Sequence, residues 1–407
     1  MLLSLAIIIL VGLFAAAVFE KVGLPRIIGM LCVGIAVSPY MLDMLDPKIL
    51  GISSELRQIA LIIILIKAGL SLNLSDLKRV GRPAVMMSFL PACCEIIGYV
   101  VFAPLLLGID HIEAAVMGAV LSAVSPAVVV PRMVKLIEEK CGTQKSIPQM
   151  ILAGASCDDI FVIVLFSTFV TMAQGDSAKA TEFLNIPISI VLGVLMGAAA
   201  GTCICLLFEK TYQHNCKIRN STKAIILLGV SFLLMSIETL AKPYVAVSGL
   251  LAVVAAACTV KLKFVDYVSA RLSEKFGKLW LGAEVVLFVL VGAAVDVRYT
   301  QSAGFMAVLM IFTALIFRTA GVLMCLIGTE LNIKERIFCV IAYLPKATVQ
   351  AAISSVPLSL GLPCGKIVLS VAVLAILITA PLGAIGIDKS YMRLLAPEKK
   401  QTVKKTA

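Results

Sequence analysis

Between Leu2 and Ile387 the sequence returns thirteen times to an apolar run long enough to cross a bilayer, near 2–19, 25–41, 56–74, 83–107, 112–135, 147–173, 184–209, 222–240, 244–260, 279–297, 302–328, 333–358 and 364–387. A span needs about 20 apolar residues. Inside lipid the backbone must satisfy its own polar groups, so only helices or a closed barrel can cross. These runs are unbroken and do not alternate, as barrel strands would. The chain is 60% hydrophobic and 14% charged, far from the balance of a water-soluble domain. The expected fold class is therefore an all-α polytopic membrane protein with about 13 transmembrane helices.

Charge sits mainly in the connections. Loops after the first, third, fifth, seventh and ninth spans are basic: Lys21 and Arg26; Lys78, Arg79 and Arg82; Arg132, Lys135, Lys140 and Lys145; Lys210, Lys217, Arg219 and Lys223; then Lys261 to Lys278. Those between them are acidic or near neutral, as at Asp43 and Asp46 or Asp110 and Glu113. The loop holding Glu330, Lys334, Glu335 and Arg336 is balanced. Positive loops stay in the cytoplasm, which sets the N-terminus outside and the C-terminus, with Lys399, Lys400, Lys404 and Lys405, inside. The net charge of +11 follows from that rule and does not call for nucleic acid. The 12 cysteines lie mostly within apolar runs and act as small hydrophobes, not as a disulfide framework. His214 and Cys216 fall short of the four ligands of a structural metal site. The run Leu2–Val18 lacks a basic leader and reads as the first span.

The two halves repeat. The third run ends at Gly69-Leu-Ser-Leu-Asn73 and the tenth at Gly292-Ala-Ala-Val-Asp296. Glu95 follows Gly69 by 26 residues, and Arg318 follows Gly292 by the same 26. Each is followed three positions later by glycine, Gly98 and Gly321, and then by a run broken at proline, SAVSPAVVVP and AYLPKATVQ. Seven spans separate the units, so they lie antiparallel. Inverted repeats with two discontinuous helices at the midplane are the layout of secondary transporters.

One run carries acids where they are costly. Asp158 and Asp159 lie near the middle of IPQMILAGASCDDIFVIVLFSTFVT, and an Asp at a span's centre costs about 2.5–3.5 kcal/mol on insertion. Such acids mark ion or proton paths. The pair is about 100° apart around the helix, so both cannot face one ion squarely. Pro126 and Pro345 remove backbone donors, and unwound backbone at this depth survives only within protein or against water. The broken ends present partial charges. Ser125, Thr348 and Gln350 add neutral oxygens there, and Lys346 lies too deep to reach water easily. Glu95 and Arg318, at matching repeat positions with opposite charge, are expected to pair; the alternative places Arg318 beside the aspartates as fixed countercharge. A protonated carboxyl holds Na+ poorly and an ionised one holds it well, so proton and cation would compete at Asp158 and Asp159.

SAVSPAVVVPRM, GASCDDI about thirty residues on, and YLPKATVQAAI together resemble the cation/proton antiporter superfamily. The likeness is greatest to its paired-aspartate sodium/proton antiporters with an arginine in the later half, the branch of the mammalian two-aspartate exchangers. The resemblance implies the sodium/proton antiporter fold and a homodimer in membrane lipid. It implies a dimerisation domain in two parts, 1–55 and 176–260, and a core that moves like an elevator, 56–175 and 279–387. A linker at 261–278 and a basic tail at 388–407 complete that scheme. It casts Asp159 as the essential carrier, Asp158 as its partner, and Glu95 with Arg318 as the core ion pair. Some bacterial relatives have lysine in the arginine's place and exchange two protons per cation; the arginine here points to one-for-one exchange. No cofactor is expected, only transported Na+ or Li+ and H+, in a bacterial inner membrane. Alternatives are exchange of K+ for protons, or a sodium-coupled symporter of an organic solute. No P-loop or Rossmann glycine pattern suggests an enzyme. Two lesser features stand out. Gly193, Gly197 and Gly201 form a small-residue stripe suited to a dimer face or to packing within the chain. Residues 261–278 read as a basic amphipathic segment, against anionic lipid or as a solvated linker helix.

Overall fold

A computed structural model describes residues 1–71, 81–175, 180–213, 218–241, 247–264, 266–295 and 297–395. Asn73, Lys78, Arg79, His214, Cys216, Lys217, Asp296 and the tail lysines lie outside them. Among the described residues the chain is helical, without strands. In chain order the helices are α1 Leu2–Lys21, α2 Arg26–Val37, α3 Pro47–Gly51, α4 Ser53–Ser71, α5 Arg82–Met87, α6 Leu90–Leu107, α7 His111–Leu121, α8 Pro126–Glu138 and α9 Ile147–Ala173. After these come α10 Ala180–Gln213, α11 Asn220–Ala241, α12 Gly249–Lys263, α13 Asp266–Ala293, α14 Val297–Cys325, α15 Ile333–Ala342, α16 Thr348–Ser354, α17 Val356–Ser359 and α18 Gly365–Leu394. Nine helical segments among the described residues are long and apolar enough to cross a membrane.

The molecule is turned inside out relative to a water-soluble protein. Phe14, Leu105, Ile225 and Phe305 point outward, while Glu95, Asp158, Asp159, Arg318 and Lys346 are buried. That distribution suits an apolar solvent outside and polar chemistry within.

Two crossings are interrupted at their middles. The first runs α7, an unwound stretch 122–125, then α8; the second runs α15, an unwound stretch 343–347, then α16. Both begin alike. Asp110 and Glu113 form a capping box at the start of α7, and Asn332 and Glu335 form one at the start of α15. Each box satisfies amide donors that a helix start leaves free. Pro126 sits at the first position of α8, where a missing N–H costs nothing. Pro345 lies within the second unwound stretch. The two breaks touch: the Ser125 amide donates to the Pro345 carbonyl at 2.8 Å. Helix α18 makes room and helps. A Cβ at Gly383 would fall 2.2 Å from Pro345 Cγ, and the Lys346 amide donates to Thr379 Oγ1 at 3.0 Å.

The repeat is visible in packing. A Cβ on Gly98 of α6 would meet the Phe317 ring at 3.0 Å, and one on Gly321 of α14 would meet Pro91 Cα at 2.8 Å. The two glycines thus let α6 and α14 approach closely, and this approach brings Glu95 opposite Arg318.

Helices α4 and α13 pack chiefly on each other and on α2 and α12, while α5 to α9 pack with one another and with α14 to α18. One packing group gives way to the other between α4 and α5 and again between α13 and α14. The glycine stripe is used within the chain: Cβ atoms at Gly193, Gly197 and Gly201 would strike the Ser248, Ala252 and Ala256 carbonyls at 2.7, 2.2 and 2.7 Å. The segment 261–278 is divided. Lys261 and Lys263 end α12, and residues 266–278 run without a break into the rest of α13. Its apolar positions continue the period of the span that follows, so no boundary forms.

Candidate functional site

Where the two breaks cross, α7 and α15 end in carbonyls that no helical turn can satisfy. Three side chains meet them. Lys346 Nζ donates to the Leu121 carbonyl at 2.5 Å, and Gln350 Nε2 to the Ala123 carbonyl at 2.5 Å. The Arg318 guanidinium donates through Nη1 to the Ser122 carbonyl and through Nε to the Tyr343 carbonyl at 2.5 Å. Two buried cations thus sit at the negative ends of broken helices, where the backbone dipoles favour them.

Glu95 holds both cations. Its carboxylate lies 2.8 Å from Arg318 Nη1 and 2.7 Å from Lys346 Nζ. All three side chains are fully buried. Charges so placed must be paired and hydrogen-bonded to persist.

Asp158 faces the same crossing from α9. Its Oδ2 accepts a hydrogen bond from the Val124 amide at 2.7 Å and lies 3.6 Å from Arg318 Nη2. Its Oδ1 has no hydrogen-bond partner, nor do Asp159 Oδ1 and Ser125 Oγ, all buried. Two carboxylate oxygens and a hydroxyl are left with unused lone pairs. Oxygen donors without protein hydrogens are what a small hard cation takes. Thr348, the first residue of α16, is buried at the second break.

Both sequence alternatives for Arg318 hold together: it pairs with Glu95 and also lies beside Asp158. The sequence reading missed the Lys346–Glu95 pair. It also missed the bracing role of Gln350, whose Oε1 accepts from the Ala347 amide at 2.8 Å while its Nε2 reaches the other break. A capping-box spacing exists there, but Ala347 in the cap position hides it. Thr379 and Tyr343 carried no signal in the sequence; each matters through backbone contacts that only the crossing creates.

A cavity of about 420 Å³ opens between α4, α9, α11, α12 and the α16–α17 segment. Its walls carry Ser54, Gln58, Ser167, Gln174, Ser248 and Ser355, and Phe166 of α9 lines it on the side of the aspartates. Phe166 lies seven residues beyond Asp159, about 10 Å along the helix.

The family model described as sodium/hydrogen exchanger, transmembrane, matches residues 5–388. Sodium/hydrogen exchanger 9B2 of Homo sapiens is 33% identical over 393 residues, covering 91% of this chain and 70% of that protein. Sodium/hydrogen exchanger 9B1 of Homo sapiens is 32% identical over 397 residues, covering 92% and 72%. The structure of the sodium proton antiporter MjNhaP1 from Methanocaldococcus jannaschii at pH 8 superposes with a TM-score of 0.80 at 19% identity, over 96% of this chain and 97% of that one, a likeness of fold. A family match across almost the whole chain, with relatives matched over most of their length, settles the family: this chain belongs to the sodium/hydrogen exchangers.

Proposed function

We propose that the protein is a secondary antiporter that exchanges protons for Na+ or Li+ at Asp158 and Asp159. One observation carries the reading. Glu95 pairs with both bases, Arg318 and Lys346, Asp158 lies 3.6 Å from Arg318, and Asp159, its neighbour in the chain, is buried beside it. With every group ionised the sum is −3 + 2 = −1. One proton or one monovalent cation on the aspartates restores neutrality, and two would overshoot. In a medium that penalises net charge, those are the two stable states. Exchange is then one-for-one and electroneutral.

In this reading Asp159, the less anchored acid, carries the cargo, while Asp158 completes the ion's ligands from its place beside Arg318. Ser125 offers a neutral oxygen. Glu95, Arg318 and Lys346 leave one positive charge, which Asp158 beside Arg318 offsets, and they keep the crossing rigid and do not load or unload. Group α5–α9 with α14–α18 moves like an elevator against α1–α4 with α10–α13, which forms the face of a homodimer. Thirteen crossings place the N-terminus outside and the C-terminus in the cytoplasm of a bacterial inner membrane, with the basic ends of α12 and α13 against anionic lipid. The polar cavity at Ser54 and Ser355 is then the external vestibule.

Purified protein in liposomes, tested with Na+, Li+ and K+ at clamped and free membrane potential, decides the matter. Na+ and Li+ are expected to drive proton flux that clamping leaves unchanged. Flux only with K+ would change the substrate, and no proton flux with any of the three would reject antiport in favour of solute symport.

A further inference from the structure

The vestibule contains a cation that the exchange reaction does not use. Arg57, in the second turn of α4, lines the 420 Å³ cavity yet is only 5% exposed. Its Nε and Nη1 atoms have no hydrogen-bond partner. A buried guanidinium is kept by a carboxylate or equivalent acceptors, since five donors left dry are costly. Two carboxylates share the cavity, Glu55 and Glu238. Glu55 is at the exposed rim, where Ser54 Oγ donates to it at 2.7 Å. Glu238 lies along the opposite wall, its Oε2 only 2.5 Å from where a Cβ on Gly249 would stand, at the start of α12. Neither forms a hydrogen bond to those guanidinium nitrogens.

The position makes this cation a problem for a cation path. A fixed positive charge in a narrow, low-dielectric passage depletes incoming Na+, just as a negative one enriches it. Around it Ser167, whose Oγ has no hydrogen-bond partner, and Gln58 and Ser355 supply hydroxyl and amide hydrogens that complete an anion's shell. One unpaired charge with two carboxylates nearby favours a singly charged, compact anion over a phosphate.

We propose that a small monovalent inorganic anion of the halide type binds in the vestibule against Arg57 and neutralises it while cations pass. The inference takes the cavity as the cation's route and so rests on the antiport reading for its consequence, though not for the binding itself.

Two measurements test it. Anomalous scattering from crystals of the whole protein grown in bromide should show a bromide at Arg57 in the wild type and in Arg57→Lys, but not in Arg57→Gln. In liposomes, replacing chloride by gluconate on both sides should slow Na+-driven proton flux by about tenfold, the lower end of what a local field does to encounter rates. Arg57→Gln should lose that dependence on the anion. Absence of bromide at Arg57 in the wild type overturns the proposal, as do equal rates in chloride and gluconate, or anion dependence that survives in Arg57→Gln. If Arg57→Gln fails to fold, the wild-type bromide map and the chloride-to-gluconate comparison still decide. A wild type that moves no protons in either anion would sink the antiport reading and leave the bromide map to judge this one.

Discussion

Removing the Glu95 carboxylate would leave Arg318 and Lys346 side by side with no water to separate them. Both are fully buried, and each lies within 2.8 Å of Glu95. Breaking a buried pair by deleting one partner costs about 3–5 kcal/mol, because the other charge is stranded. Glu95→Gln is therefore expected to lower the melting temperature in detergent sharply, and adding Lys346→Met should recover part of the loss. No recovery would mean that Lys346 leans on its carbonyl partner, Leu121, more than on Glu95. Asp159 calls for the opposite result. Its Oδ1 has no partner, so Asp159→Asn should fold as well as the wild type while abolishing cation-driven proton flux in vesicles. Undiminished exchange in that variant would remove Asp159 from the mechanism. The two aspartates were legible in the sequence because acids stand out in an apolar run. The partner of Lys346 was not, since 251 residues separate it from Glu95 and no spacing rule spans that distance.

At the scale of the element, the interrupted helices could be read from Pro126, Pro345 and the doubled spacing from glycine to midspan charge. What the prolines do not say is how an unwound stretch is held. That takes groups from other helices: the Pro345 carbonyl for Ser125, Thr379 for Lys346, and Gln350 between the two breaks. The start of α13 was equally hidden, because a basic amphipathic stretch and the cytoplasmic end of a long span share one pattern. The α6–α14 contact offers a test of the repeat. Gly321→Ala puts a methyl group 2.8 Å from Pro91 Cα, and backbone cannot yield there as a flexible side chain would. Nothing lies within 4 Å of a Cβ on Gly229 in α11. Gly229→Ala should be neutral or stabilise by up to about 1 kcal/mol through helix propensity. Gly321→Ala should destabilise by about 1–3 kcal/mol, as overpacking does, and slow exchange by displacing Arg318. Equal melting temperatures for the two variants would show that the tight approach at Gly321 relaxes freely.

Across the whole molecule, the consequence of the buried charge count is a pH law. If one proton and one Na+ are alternative ways to neutralise the same pair of acids, they exclude each other from either side of the membrane. Lowering the pH on the side from which Na+ is offered should raise the apparent KM for Na+, about tenfold per pH unit once the site is mostly protonated, because each proton-loaded site must first empty. The maximal rate at saturating Na+ should change far less, since enough cation displaces the proton. The sign is fixed by competition: acid weakens apparent Na+ binding, and base strengthens it until the site is fully ionised and the KM levels off. A protein that bound proton and cation at separate places would instead lose maximal rate in acid at constant KM. Initial rates in liposomes, measured over a grid of pH and Na+ concentration with the membrane potential clamped, separate the two patterns. The same grid at free potential should overlay the clamped one, because a site at −1 that takes up a single positive charge on every passage carries no net charge across.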